Sequence, residues 1–411
     1  AFAILSAGMA YLATTGGSML VVAQRLIYGL NSFTLLAVPL FILVGNLMDF
    51  GGISKRLTDW AKSILGWLPG GLGIVTVFSC AIFAALTGSG PATVAAIGSI
   101  MLPSMLKAGY SRETSAGLVA SAGALGPIIP PSIPMIIYGV TMNLSIPAMF
   151  MAGVVPGLVI ALALSLVNVV FAYRNPEVLK HAKTMKFDFK ESMKLFWKAL
   201  GALGLPVLIL GGIYGGIFTP TESAAVGIVY ALILGFALKE LKVKDLPKIL
   251  INSLKTSTMV NFIIAAASLF SWVVSKSQIG IVISNAFISF VGGSQALYLF
   301  VLVVVLLIVG CLMDNVAATL ILAPILIPVG IALGCNELHI GMLFCICLVV
   351  GFVTPPFGYN LFTAVSISGL NFKQIVKGAL PFLLTEILLL FVFAYVPGII
   401  TWLPRLMGYG Y

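Results

Sequence analysis

The chain has 411 residues, 60% of them hydrophobic and only 8% charged, which excludes an ordinary soluble domain. Its apolar residues form continuous runs near the roughly 20 residues of a spanning helix, and not the alternating segments of a membrane β-barrel. The formal net charge of +10 raises nucleic acid or anionic lipid as partners until the charges are placed along the chain. The composition therefore predicts an all-α polytopic membrane protein in a lipid bilayer. Cysteines 80, 311, 335, 345 and 347 lie in or beside apolar runs without metal-like spacing, and His181 and His339 are isolated. Helix packing is the expected role of the cysteines, and a metal centre is not expected.

In chain order, the first apolar run extends from Ala1 to Val22, with Ala23 to Ser32 as a short link. A span follows from Phe33 to Phe50. Lys55 to Leu68 mixes Lys55, Arg56, Asp59 and Lys62 with Leu57, Trp60, Ile64, Leu65 and Trp67, the pattern of an amphipathic helix on the membrane surface. Gly71 to Leu86 and Ala92 to Leu106 are each short for a span and flank a polar tip at Thr87–Thr93. A re-entrant hairpin over 71–110 is the expectation, since non-helical backbone at that depth survives only under cover of protein or water. Residues 114–142 form a span broken at Gly126–Ser132, where proline removes amide donors and frees carbonyls. Residues 147–173 are an unbroken span, and 174–198 is a basic linker.

The second half runs through spans at 199–218 and 220–238, a basic connector at 239–255 and a span at 256–274. A hairpin at 296–334, a broken span at 340–367 and a last span at 381–403 complete it. At a constant offset of 225 residues, Pro103 meets Pro328, Gly109 meets Gly334 and Gly126 meets Gly351. Pro130-Pro131 meets Pro355-Pro356, Gly153 meets Gly378 and Pro156 meets Pro381. Ser89-Gly90 then falls on Asp314-Asn315, the second polar tip. A weaker match at an offset of 222 pairs the opening run with Ser223 onward, and Val38 to Ile42 with Val260 to Ile264. It predicts that the partner of the 199–218 helix, roughly 25 residues long, precedes residue 1. Two repeats are expected, 1–173 and 199–411, each carrying a hairpin and a discontinuous helix. With hairpins counted as no crossing, the second repeat crosses an odd number of times, so the two copies should be inverted in the membrane.

The charges favour one orientation. With the 174–198 linker in the cytoplasm, 19 of the 22 basic residues fall inside, and only Arg25, Lys276 and Arg405 fall outside. Basicity is thus accounted for by topology, and no nucleic acid is expected. A hairpin that crosses twice has the same parity, so the charges support the orientation without deciding re-entrance.

Matching broken helices in two halves point to a transporter's midplane binding site. Sodium favours a small cage of oxygens, which unwound carbonyls and Ser, Thr and Asn side chains supply. The first cage is expected from Thr87, Ser89, Gly90 and Thr93 with Gly126 and Pro127. The second is expected from Asp314, Asn315 and Thr319 with Gly351 and Thr354, so that two or more sodium ions are bound. Asp314 is an acid deep in an apolar segment, a functional signal, with a helix cap as its alternative. For Thr87, Ser89 and Thr93 ordinary helix–helix hydrogen bonding is the alternative. Helix amino ends at the breaks suit a substrate carboxylate, placing Pro130, Ser132, Pro355, Gly358 and Asn360 in the expected substrate site. Thr219-Pro220-Thr221-Glu222 reads as a structural capping box, Thr219 being the cap and Glu222 the third position. Glu386 lies in the last span without an evident partner. No nucleophile constellation or P-loop is present, so an enzyme is not expected.

The segments Gly88-Ser89-Gly90-Pro91-Ala92-Thr93, Gly126-Pro127-Ile128-Ile129-Pro130-Pro131-Ser132 and Gly216-Ile217-Phe218-Thr219-Pro220-Thr221-Glu222 give the chain its family likeness. Over essentially its whole length it resembles the large membrane subunit of tripartite ATP-independent periplasmic (TRAP) transporters. The resemblance implies an elevator-type, sodium-coupled importer in the cytoplasmic (inner) membrane, taking up C4-dicarboxylates, sialic acid or another organic acid. It implies two partners, a small four-helix membrane subunit, separate or fused ahead of the chain, and a periplasmic substrate-binding protein that largely sets specificity. A stand-alone sodium/divalent-anion symporter without a binding protein is the alternative. Since each cage combines a tip with a break, 71–143 and 296–367 are expected to move as one unit. The long spans 147–173 and 381–403 are expected to stay with a static scaffold.

Overall fold

In a computed structural model the chain is described over residues 1–410, and it is helical throughout with no strand among them. The first group of helices comprises α1 (Phe2–Thr14), α2 (Leu20–Leu30), α3 (Ala37–Phe50) and the amphipathic α4 (Ile53–Leu65). The opening run is thus two helices and not one. Gly16, in the left-handed region at φ +69°, turns the chain, and residues expected as a link form α2. Next come α5 (Gly71–Thr87) and α6 (Gly90–Lys107), the first hairpin. The first broken helix is α7 (Arg112–Ala122), a 3-10 turn at Gly123–Leu125, and α8 (Ile133–Met142). The long α9 (Ile146–Tyr173) and short α10 (Pro176–Thr184) lead to α11 (Phe189–Tyr214). The polar linker is therefore shorter than 174–198. Asp188 caps α11 by accepting from the Lys190 and Glu191 amides, and the helix starts ten residues earlier than its apolar part.

Then follow α12 (Pro220–Ala237), α13 (Leu246–Lys276) and α14 (Ile279–Val291). Thr219 and Glu222 form the reciprocal capping box at the start of α12, as the sequence pattern requires. Two expectations need correction here. The basic connector 239–255 contributes its second half to α13, because Pro247 is tolerated in the first turn of a helix. The α14 helix lies where the sequence suggested no element. The second hairpin is α15 (Gln295–Leu312) with α16 (Asn315–Ala332), and the second broken helix is α17 (Glu337–Gly351) with α18 (Tyr359–Ser368). The last expected span splits into α19 (Phe372–Tyr395) and α20 (Gly398–Leu406), interrupted at Pro397, which cannot continue the ladder. Among the described residues, eight helical stretches are long and apolar enough to cross a membrane. Both α15 and α16 are among them, so length alone does not separate a re-entrant hairpin from a double crossing.

Packing divides these helices into two bodies. In the first, α3 runs along α12 and α13, α2 along α13, and α4 along α11. One ion pair ties α4 to the end of α12, Arg56 to Glu240 at 2.9 Å. In the second body, α7 lies along α19, α15 along α17, α5 along α9, and α6 along α18. The spans 147–173 and 381–403, expected to stay with a static scaffold, pack extensively on the hairpins and broken helices. Helix α19 packs on α7, α9, α15, α17 and α18, and α9 on α5, α8, α17, α19 and α20. Close backbone approach makes this possible. A Cβ on Gly117 of α7 or Gly378 of α19 would collide with the backbone of the opposite helix. Gly153 of α9 similarly leaves room for the Ile128 carbonyl, 2.6 Å from where its Cβ would be. The bodies meet mainly where α4 and α3 pack on α5 and where α13 packs on α16, with α14 lying chiefly against α16.

Candidate functional site

At the first tip, Gly88 ends α5 in the left-handed region and Ser89 is extended, so α6 begins abruptly at Gly90. A Cβ at Gly88 would lie 2.8 Å from the Pro131 carbonyl, and one at Gly126 would lie 2.6 Å from the Ser89 carbonyl. The tip and the helix break are therefore in direct contact, which requires glycine on both sides. The hydroxyls here are occupied. Thr93 Oγ1 donates to the Ser89 carbonyl at 2.8 Å, Thr87 Oγ1 lies 3.3 Å from the Phe83 carbonyl, and the two threonine oxygens are 3.3 Å apart.

The second tip is built differently. Asp314 accepts from the Val316 amide at 2.9 Å and caps α16, so the structural alternative read from the sequence describes its contact. The next residue, Asn315, is 3% exposed, and neither its Oδ1 nor its Nδ2 has a partner. Thr319, one turn on and 1% exposed, also has a free Oγ1. A buried polar atom without a partner costs about 1–3 kcal/mol, so three on one helical turn set this tip apart as a candidate polar site. The break follows closely, since a Cβ at Gly351 would be 2.5 Å from the Gly310 Cα at the end of α15. Thr354 Oγ1 is used within its own turn, donating to the Val350 carbonyl at 3.0 Å.

Asn360 connects the two regions. It belongs to α18, yet its Nδ2 donates to the Ala120 carbonyl of α7 at 3.1 Å, and it is fully buried. Its Oδ1 has no partner and is the atom nearest Gly90, 2.7 Å from where a Cβ there would sit. The first tip thus receives an open amide oxygen from the second broken helix. No sequence offset suggested that pairing.

Both tips face one cavity of about 820 Å³. Of the expected ion residues, Thr87, Ser89, Gly90, Pro127, Asp314 and Asn315 line it, whereas Thr93, Gly126, Thr319, Gly351 and Thr354 lie behind that wall. The expected substrate residues Pro130, Ser132, Pro355, Gly358 and Asn360 do not line it at all. Ser132 shows why: its hydroxyl is buried, donates to the Pro127 carbonyl at 2.6 Å and accepts from the Met135 amide. Gly358 is buried beneath the turn, and the neighbours Ile133, Pro134, Phe352 and Tyr359 form the surface instead. Two helices present amino ends there without a side-chain cap, α6 at Gly90 and α18 at Tyr359. Such ends attract anions.

The opposite wall comes from α3 and α13 and was missed. It includes Asn46, Asp49, Thr256 and Met259. Asn46 donates to Ser253 Oγ at 2.9 Å, holding α3 to α13. Polar Asn46 and Asp49 within the otherwise apolar 33–50 run were the available signal. Glu386 is 1% exposed on α19, does not line the cavity, and has no partner for either carboxyl oxygen.

Comparison with known proteins agrees with this architecture. The family profile described as "Tripartite ATP-independent periplasmic transporter, DctM component" matches residues 1–399. The C4-dicarboxylate TRAP transporter large permease protein DctM of Pseudomonas aeruginosa is 39% identical over 98% of this chain and 94% of its own length. The isethionate TRAP transporter permease protein DctMQ of Oleidesulfovibrio alaskensis is 40% identical over 95% of this chain, which covers 62% of that longer protein. Among solved structures, the Alcanivorax borkumensis YdaH transporter, described as having an unusual topology, shares the fold. Its TM-score is 0.62 at 14% identity, over 95% of this chain and 89% of that one. The profile and the full-length relatives together establish that the chain belongs to the DctM component of the tripartite ATP-independent periplasmic transporters, multi-pass proteins of the inner membrane.

Proposed function

We propose that the chain imports a small organic anion, a carboxylate or sulfonate, by sodium-coupled secondary transport. The observation that carries this reading is the set of unpartnered, buried oxygens at the two tips: Asn315 Oδ1 and Thr319 Oγ1 at one, Asn360 Oδ1 at the other. These neutral oxygens, with the carbonyls freed at the breaks, suit a monovalent cation better than a divalent one, which usually takes carboxylate ligands. Sodium held there would lie just under the cavity surface. Its charge and the uncapped amino ends of α6 and α18 would together offset that of the substrate anion.

Coupling follows from the arrangement. The substrate surface is made of the same tips that would close over the ions, so each stabilises the binding of the other, a reciprocal linkage. The moving body in this proposal is α5–α9 with α15–α20, and the first helical group is its scaffold. The two halves are read as inverted repeats, and sliding of that body presents the site to either side. The substrate would be delivered by a periplasmic binding protein, with a small membrane subunit completing the complex. A role in transport and not catalysis follows from the same site.

The test is uptake into proteoliposomes containing the chain with its small subunit, supplied with a liganded binding protein. Uptake should require an inward sodium gradient. Undiminished uptake with sodium replaced by choline, at fixed pH and potential, would overturn sodium coupling. Robust uptake of free substrate by the chain alone would point to the stand-alone symporter instead.

A further inference from the structure

The cavity continues beyond the tips along a polar stretch that the ion and substrate sites leave unused. Gly45 of α3 packs on the first tip, where a Cβ would be 3.2 Å from the Thr87 Cα. From that level the wall passes Asn46 and Asp49, then Gly52, Ser54 and Lys55 where α4 begins. Thr87, Gly90 and Asn315 are buried, whereas Asp49 and Lys55 are exposed, so the path leads from a closed end to an open mouth. Lys55 is the only cationic side chain lining the cavity among the described residues. Its neighbours on α4 are engaged elsewhere: Arg56 pairs with Glu240 at 2.9 Å, and Lys62 Nζ donates to Ser104 Oγ at 3.1 Å. Lys55 forms no ion pair among the described residues.

We propose that Lys55 is a release-side anion site, holding the carboxylate or sulfonate of the outgoing substrate at the cytoplasmic mouth. Asp49, less than two turns of chain deeper, opposes it and keeps the stretch behind the mouth thinly occupied. Together they bias an anion outward after it leaves the tips. The proposal rests on the transport reading above and adds the residue that receives the substrate after it. A single charge near a cleft mouth changes anion occupancy by about three- to tenfold, and the effect is screened by salt.

Exchange across proteoliposomes tests it, using the chain with its small subunit, the binding protein outside, and labelled succinate, N-acetylneuraminate or isethionate inside. Lys55→Gln should raise the half-saturating internal concentration by about three- to tenfold, and Lys55→Arg should restore it. Asp49→Asn should lower it. Both shifts should shrink in about 0.5 M salt, where screening acts over a few ångströms. A melting curve of Lys55→Gln matching that of wild type reports an intact fold. Lys255→Gln, on α13 outside the cavity, is the control. An internal half-saturation in Lys55→Gln equal to that of wild type and of the Lys255→Gln control would overturn the role of Lys55 while leaving transport standing. Failure of the wild-type complex to exchange any of the three anions would overturn the transport reading for these substrates, and this proposal with it.

Discussion

The two tip-and-break regions follow one plan and differ in their polar atoms. Both bring a hairpin tip against a helix break through glycine pairs, Gly88 and Gly126 in the first, Gly310 and Gly351 in the second. In the first, the threonine hydroxyls are spent on carbonyls and on each other. In the second, Asn315 and Thr319 keep their polar atoms open. Two regions of like backbone plan therefore need not present the same polar atoms. The first region obtains its open oxygen from Asn360, a residue of the other half.

The largest effects should be common to both regions, because the glycines serve packing. Gly126→Val and Gly351→Val should each reduce uptake at least about a hundredfold and lower thermal stability, since overpacking by a side chain typically costs about 1–3 kcal/mol and here meets backbone. Uptake rates and melting curves check this. A tolerated valine at one site only would mean that just one tip needs close contact.

Asn315→Leu should come next. Losing an open amide beneath the cavity should raise the half-saturating sodium concentration by about tenfold, equivalent to about 1.4 kcal/mol. Thr93→Val, which removes a hydroxyl already satisfied within its helix, should shift it by about twofold or less. Equal shifts would show that the two regions contribute alike and that the open atoms are no guide.

Asn360→Ala sharpens the comparison further. It should raise half-saturating sodium about three- to tenfold, and combined with Ser89→Ala it should be non-additive, while with Asn315→Leu it should add. The reverse pattern of coupling would return Asn360 to the second region. The smallest effect is expected at Glu386→Gln, which should change uptake and its sodium dependence by less than about twofold, because the side chain lies away from the cavity and keeps its shape. A large loss in that variant would give Glu386 a part in coupling that its position does not explain.

Sequence alone determined the helical membrane class, the hairpins and the broken helices. Those features arise from local causes: runs of apolar residues, and Gly and Pro at positions where a helix cannot continue. The capping box at Thr219–Glu222 was legible for the same reason, because all of its hydrogen bonds lie within four residues. The start of α11 and the existence of α14 were less legible, since polar first turns and short helices carry little periodic signal. Tertiary structure decided the rest. The long helices α9 and α19 join the hairpins because Gly117, Gly153 and Gly378 admit close backbone contact, and nothing in a single apolar span says which neighbour it will meet. Ser132 turned inward to Pro127, and Asn360 crossed to Ala120, because a buried polar group takes whichever partner the fold brings within reach. The facing wall of Asn46, Asp49 and Lys55 joined the cavity only when α3 and α4 were packed against the first hairpin. Spacing along the chain specifies where the backbone breaks, whereas the identity of the groups that converge on a break depends on contacts between residues hundreds of positions apart.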